Sequence, residues 1–158
     1  MKKLLSILSL AVIAVDLWSK SWIESTLNLG ESMTIIPGFF KLHYIRNFGG
    51  GWSILEGHQW IFLVLTPLVC LGLIYYFFFK ENDPLHLLAI AAIFAGAAGN
   101  LFDRLVFGYV RDMFSFNIFG YDFPVFNVAD MAVVFGVMIV IFILIREEVR
   151  AKHEKIND

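Results

Sequence analysis

The chain has 158 residues, of which 59% are hydrophobic and 16% charged, with a formal net charge of −2. Soluble domains average roughly 45–50% apolar and about 25% charged residues, and a domain this short has too much surface for its volume to hide the excess. An ordinary soluble globule and a disordered chain are therefore excluded. The near-neutral balance lacks the basic stripe of a nucleic-acid binder, and one cysteine rules out an internal disulfide framework or a Cys-rich zinc site. What remains is a single integral membrane domain over residues 1–158, a length that fits one domain.

Four stretches are apolar enough to cross a hydrocarbon core of roughly 30 Å, which takes about 20 helical residues. The first spans about residues 4–23 and carries Asp16 and Lys20 in its last turns. Lys2 and Lys3 before a short apolar run also fit a secretory signal peptide. Ala11 and Ala14, however, are followed at once by Asp16, Trp18 and Lys20, a poor processing site, so a retained helix is expected. Residues 24–59 follow as an outer segment, with short strands at Met33–Ile36 and Phe39–Ile45 joined by a Pro37-Gly38 turn. Its aromatics Phe39, Phe40, Tyr44 and Trp52 place this small sheet on the membrane surface. The second helix, about 60–79, has no charge, and its Cys70 reads as a small packing residue. The third, about 85–106, is rich in Ala and Gly and uncharged as far as Phe102. A second outer loop, about 107–124, carries Phe114, Phe116, Phe119, Tyr121 and Phe123, read as interfacial anchors. The fourth helix covers about 125–145, and Arg146 to Arg150 read as its solvated end. The expected fold is an all-α membrane protein of four transmembrane helices with a small extracytoplasmic β-sheet segment. No internal repeat is visible, which disfavours inverted-repeat transporters.

Lys and Arg set the orientation. With both termini inside, seven fall on the cytoplasmic side (Lys2, Lys3, Lys80, Arg146, Arg150, Lys152, Lys155) and five on the outer side. Of those five, Lys20, Arg46, Arg104 and Arg111 neighbour acidic or amide residues that tie them up locally. Both termini are therefore expected in the cytoplasm.

On this topology the polar residues collect in one outer layer. Asp16 and Lys20 end the first helix, Asn100, Asp103 and Arg104 end the third, Asn127 and Asp130 start the fourth, and Asn47 and Asp112 lie in the outer loops. Ionisable groups in lipid are costly, so a functional site is the default reading. Asn100, Asp103 and Arg104 fall at helical spacings i,i+3 and i,i+4, and Asn127 with Asp130 at i,i+3. Asp16 and Lys20, at i,i+4, are set for an ion pair. Ala95 to Gly99 allow close helix approach, and Gly49-Gly50-Gly51 offers backbone N–H groups to an extended chain. No Ser/His or Cys/His pair reaches this layer, and no HExxH pattern occurs. Carboxylates are plentiful, in Asp103, Asp112 and Asp130. Two held close share one proton, leaving one acid and one base, which is aspartic-protease chemistry. Spacing alone leaves open which two of the three act. The competing readings are a small proton-coupled transporter using Asp16 and Asp130, and a membrane assembly protein whose polar layer is structural.

Five segments in order resemble the lipoprotein signal peptidase (signal peptidase II) family of bacterial membrane aspartic proteases. They are Asp16-Leu-Trp-Ser-Lys20, Asn47-Phe-Gly-Gly-Gly-Trp-Ser53, Gly96-Ala-Ala-Gly-Asn-Leu-Phe-Asp-Arg104, Val110-Arg-Asp-Met-Phe114 and Phe126-Asn-Val-Ala-Asp130. Gly50, Gly51 and Trp52 depart from that family's usual Ala-Ala-Phe. The resemblance implies Asp112 and Asp130 as a catalytic dyad. It implies Asn47, Gly49, Asn100, Arg104 and Asn127 as substrate-positioning residues, supported by Asp16, Lys20, Asp103 and Ala129. It further implies a diacylglyceryl-modified prolipoprotein as substrate, cut before the lipidated cysteine at the outer face of the bacterial cytoplasmic membrane. No metal or cofactor is required, membrane lipids are the surroundings, and a monomer is expected. Against these roles, Asp103 with Arg104 also reads as an ion pair closing the bundle, the reading preferred for Asp103, and Asp16 with Lys20 as a staple to the outer sheet. Asn47 with its glycines could be a plain turn, and Asn100 and Asn127 interhelical hydrogen-bond glue.

Overall fold

The computed structural model describes residues 1–157. Four helices dominate: α1 (Lys2–Thr26), α2 (Gln59–Phe79), α3 (Pro84–Val106) and α4 (Val128–Asn157). Each is long and apolar enough to cross a membrane. The first continues through Asp16 and Lys20 to Thr26, because both charges find buried partners. At the start of α3, Asp83 caps Leu85 and His86 N–H at 2.9 and 3.2 Å and Pro84 occupies the first helical position. Helix α3 is the central one, packed against the other three. Helix α2 buries little beyond Cys70 and Phe77.

The seam between α3 and α4 is set by glycine. A Cβ on Gly96 would strike the Ala129 carbonyl oxygen and lie 2.6 Å from Val133 Cγ2, and one on Gly99 would lie 2.6 Å from Asp16 Oδ2. Hydrogen at these positions lets the α4 backbone and the Asp16 side chain of α1 press directly against α3, as small residues allow between membrane helices.

At the end of the bundle where α1 and α3 finish and α2 and α4 begin, four strands form one antiparallel sheet in the order β1-β2-β3-β4. They are β1 (Ser32–Ile36), β2 (Phe40–Asn47), β3 (Val110–Ile118) and β4 (Tyr121–Asp122). Residues 107–124, expected as a loop, thus supply half the strands. Val110 to Ile118 does not alternate apolar and polar residues cleanly, because both of its faces are covered and Val110 to Met113 are all buried. Ile23, Leu27, Leu42, Tyr44 and Met113 form the small core that fastens the sheet to α1.

A β-bulge decides which residues face the site. Leu42 pairs with Phe114, but the next pair is Ile45 with Asp112, so β2 carries one extra residue. A one-residue slip turns every later side chain to the other face. The bulge therefore puts Asn47 on the Asp112 face of the sheet, and Arg46 opposite Arg111 on the other.

Candidate active site

The Asn127-to-Asp130 segment is a helix N-terminus before it is anything else. Asn127 Oδ1 accepts the Asp130 N–H at 3.0 Å, and Asp130 Oδ2 accepts the Asn127 N–H at 3.1 Å. This reciprocal pair is the capping-box arrangement with an amide and a carboxylate in the two roles. It fixes the Asp130 carboxylate against the first turn of α4. Asp16 Oδ1 takes the Ala129 N–H at 2.8 Å, so a carboxylate from α1 satisfies a further donor of that turn.

Amide side chains then join Asp130 to Asp112. Asn100 donates to Asp130 Oδ1 at 2.7 Å. Asn127 Nδ2 donates both to Asn100 Oδ1 at 3.1 Å and to Asp112 Oδ1 at 2.6 Å. Asn47 Nδ2 closes the far side on Asp112 Oδ2 at 2.9 Å. Two carboxylates from different elements are thus held by three asparagines. Asp112 is 1% exposed, and burial first, then the charge of Asp130, pushes its carboxyl up to about 7, against the opposing pull of the two amide bonds and Lys20. Of the three carboxylates the sequence left open, the structure joins Asp112 and Asp130 through one amide network and sends Asp103 elsewhere.

Arg104 lies on the same side as these two carboxylates. Its Nη2 donates to the Gly49 carbonyl at 2.7 Å, and its guanidinium covers the Phe62 ring at 4.5 Å. Its buried Nε has no hydrogen-bond partner among the described residues. A buried donor left without an acceptor is costly. The Gly49 and Gly50 N–H groups, expected to be open, are taken: Gly49 by Asn47 Oδ1 at 2.8 Å and Gly50 by the Ile54 carbonyl at 2.8 Å. The loop nevertheless turns through strained backbone, with Trp52 at φ 55° and Leu55 at φ 61°.

The structure corrects two sequence expectations. Asp103 does not close on Arg104; its partners are Arg111, at 2.8 Å, and Lys20, at 3.7 Å. Asp16 and Lys20 do form their pair, at 2.7 Å, but they fasten α1 to Ala129 of α4 and Asn100 of α3, at 2.8 and 2.9 Å, not to the sheet. Arg111 is tied up, as expected, but by Asp103 and by Glu24 at 2.9 Å, and Glu24 is a residue for which no role was expected. A signal for Glu24 was present, because Asp16, Lys20 and Glu24 form an unbroken i,i+4 stripe.

Comparison with known proteins fits this geometry. Residues 8–146 match the family model described as signal peptidase (SPase) II. A lipoprotein signal peptidase of Staphylococcus haemolyticus (strain JCSC1435) is 39% identical over 142 residues, covering 89% of this chain and 90% of the relative. The Staphylococcus aureus (strain JH9) lipoprotein signal peptidase is 35% identical over 152 residues, 96% of this chain and 93% of the relative. Two solved structures, each described as a bacterial membrane enzyme determined by the in meso method, superpose with TM-scores of 0.85 and 0.80. Their identities are 37% and 38%; they cover 90% and 88% of this chain, which covers 88% and 91% of theirs. With a family model matched over residues 8–146 and relatives 39% and 35% identical over 89% and 96% of it, the chain belongs to the signal peptidase II family.

Proposed function

We propose that this chain is an aspartic endopeptidase that removes the signal peptide from diacylglyceryl-modified prolipoproteins, cutting before the lipidated cysteine. The observation that carries the chemistry is the buried Asp112 carboxyl, joined to Asp130 through Asn127 and Asn100. Near neutral pH such a pair holds one proton. The ionised member draws a proton from water as that water adds to the scissile carbonyl carbon, while the protonated member donates to the carbonyl oxygen. Collapse of the adduct breaks the C–N bond and delivers a proton to the departing cysteine amine. Asn47, Asn100 and Asn127 hold the two carboxyls, and Arg104, which donates through Nη2 to the Gly49 carbonyl, positions the substrate beside them. Asp16, Lys20, Asp103 and Ala129 support them.

Location follows from the same reading. The sheet and both aspartates sit at one end of the bundle, and the seven Lys and Arg residues near both termini and the α2–α3 turn sit at the other. By the positive-inside rule the site faces outward and both termini face the cytoplasm. A cysteine carrying two acyl chains puts the scissile bond at the membrane surface, level with the dyad. The enzyme works as a monomer in lipid.

The test is to mix purified enzyme in detergent with a lipidated prolipoprotein and with the same precursor unlipidated, and to weigh the products. Release of the signal peptide from the lipidated form alone, unaffected by EDTA, is the expected result. Failure to cut either form would overturn the reading. The pH dependence is a second prediction. The Asp112 proton, held up to about 7, is lost above that pH, so kcat/KM should fall about tenfold per pH unit there. Folding stability also falls as pH rises. A carboxyl raised above its unfolded value near 3.8 contributes stability that is full below that value and lost as pH rises to about 7. A flat rate profile to pH 9 would contradict the shared proton.

A further inference from the structure

Behind the aspartates, on the opposite face of β3, charges of alternating sign form a continuous chain. It starts at the Ala129 N–H on Asp16 and passes to Lys20, which lies 2.7 Å from Asp16 and 3.7 Å from Asp103. Asp103 grips Arg111 three times: Oδ2 accepts Nε at 3.1 Å and the Arg111 backbone N–H at 3.0 Å, and Oδ1 accepts Nη2 at 2.8 Å. Arg111 Nη1 reaches Glu24 at 2.9 Å, and Glu24 takes the Tyr44 hydroxyl at 2.9 Å and lies 4.0 Å from Arg46. The Phe107 ring covers the guanidinium at 4.2 Å. Arg111 is 2% exposed.

This arrangement matters because Arg111 precedes Asp112 in a strand. Successive strand side chains point to opposite faces, so whatever fixes Arg111 fixes the direction in which Asp112 leaves the backbone. The grip on the Arg111 backbone N–H sets the height of the strand, and the planar fork on Asp103 sets its rotation. The other end of the chain of charges is the first turn of α4, one residue from Asp130. We propose that Arg111 is a positioning residue for the reaction, a clamp that locks β3 to α1 and α3 and so places Asp112 against Asp130. Its guanidinium touches neither carboxyl of the dyad and does no chemistry itself. The proposal rests on the peptidase reading above and adds to it a residue outside the dyad and its amide cage.

Lysine cannot replace this clamp fully: it keeps the charge but has no fork to hold Asp103 at two oxygens. The charges that bear on Asp112 are Asp130 from α4, Lys20 from α1 and Arg104 from α3, beside the amides of Asn47 and Asn127. Asp16 and Asp103 act on it through Lys20, and Glu24 through Arg111. Loss of the clamp frees Asp103 to draw Lys20 away from Asn100, so both the geometry and the proton affinity of the dyad shift.

The experiment compares wild type, Arg111→Lys and Arg111→Met in detergent, measuring kcat, KM, the pH profile and thermal unfolding. Arg111→Met is expected to lose on the order of 10²-fold in kcat, the cost of a misplacement of about 1 Å, with KM within about twofold. Arg111→Lys should fold like wild type, keep KM, recover part of kcat, and show a displaced high-pH limb. If Arg111→Met fails to fold, Arg111→Lys carries the test alone. Wild-type kcat and pH profile in a folded Arg111→Lys would overturn the proposal. Should the wild-type enzyme not cut lipoproteins at all, a 13C NMR titration of the Asp112 carboxyl still decides. A midpoint that moves between wild type and Arg111→Lys supports the clamp, and an unmoved one refutes it.

Discussion

Asp112→Asn and Asp130→Asn are each expected to lose at least 10²–10⁴-fold in turnover of a lipidated prolipoprotein, the usual range for one acid–base group. Each change keeps the shape of the side chain and removes the acid–base group on which the proposed mechanism depends. On the proposed mechanism the two carboxyls act as one unit, so the double variant should be little worse than either single one. The folded states differ in a measurable way. At position 130 Oδ1 accepts from Asn100 at 2.7 Å and Oδ2 from the Asn127 N–H at 3.1 Å, so asparagine keeps one of these bonds and loses the other. At position 112 both carboxylate oxygens accept from amides, Asn47 and Asn127. Asparagine offers only one oxygen there, so one of those bonds is lost. Asp112→Asn also removes a buried carboxyl whose contribution to stability is lost as pH rises from 3.8 to about 7. Its melting temperature relative to wild type should therefore be higher at pH 8.5 than at pH 5. Near-normal turnover in either single variant would end the dyad assignment.

The membrane helices were legible because a span needs only length and apolar character, and the four stretches carry few charges. The polar layer was legible for the converse reason: charges in lipid are conspicuous. The links between those charges were not. Asp103 and Arg104 are sequence neighbours, yet about 100° of helix turn separates them. Asp103 faces Arg111 and Lys20, while Arg104 faces Gly49 and Phe62. Strand β3 was hidden because a strand covered on both faces lacks alternation. The β2 bulge was hidden because nothing in Leu42 to Ile45 marks an extra residue, yet that bulge puts Asn47 onto Asp112. Sequence spacing within one helix is a local quantity, whereas a site made from α1, α3, α4, β2 and β3 depends on how those elements are rotated against each other.

Gly96→Ala is the second variant with a large expected effect, and it tests that rotation directly. The added methyl would meet the Ala129 carbonyl oxygen and, at 3.0 Å, the Val133 N–H nitrogen. Both are backbone atoms of α4, so no rotamer change relieves them, and the whole first turn of α4 must move out. Overpacking of this kind costs about 1–3 kcal/mol, offset by up to about 1 kcal/mol from the better helix propensity of alanine. The larger consequence is catalytic. Ala129 adjoins Asp130 and holds Asp16 through its N–H at 2.8 Å, so a displaced turn carries one carboxyl of the dyad away from Asp112. A shift of about 1 Å is enough for a 10²-fold loss in turnover. Gly72 in α2 is the matched control, because a Cβ there meets nothing within 4 Å. Gly72→Ala should melt at or slightly above wild type and cleave normally. The pair of variants separates loss of glycine from loss of close approach. A Gly96→Ala enzyme with wild-type melting and turnover would show that α3 and α4 do not need backbone contact to bring Asp130 to its partner.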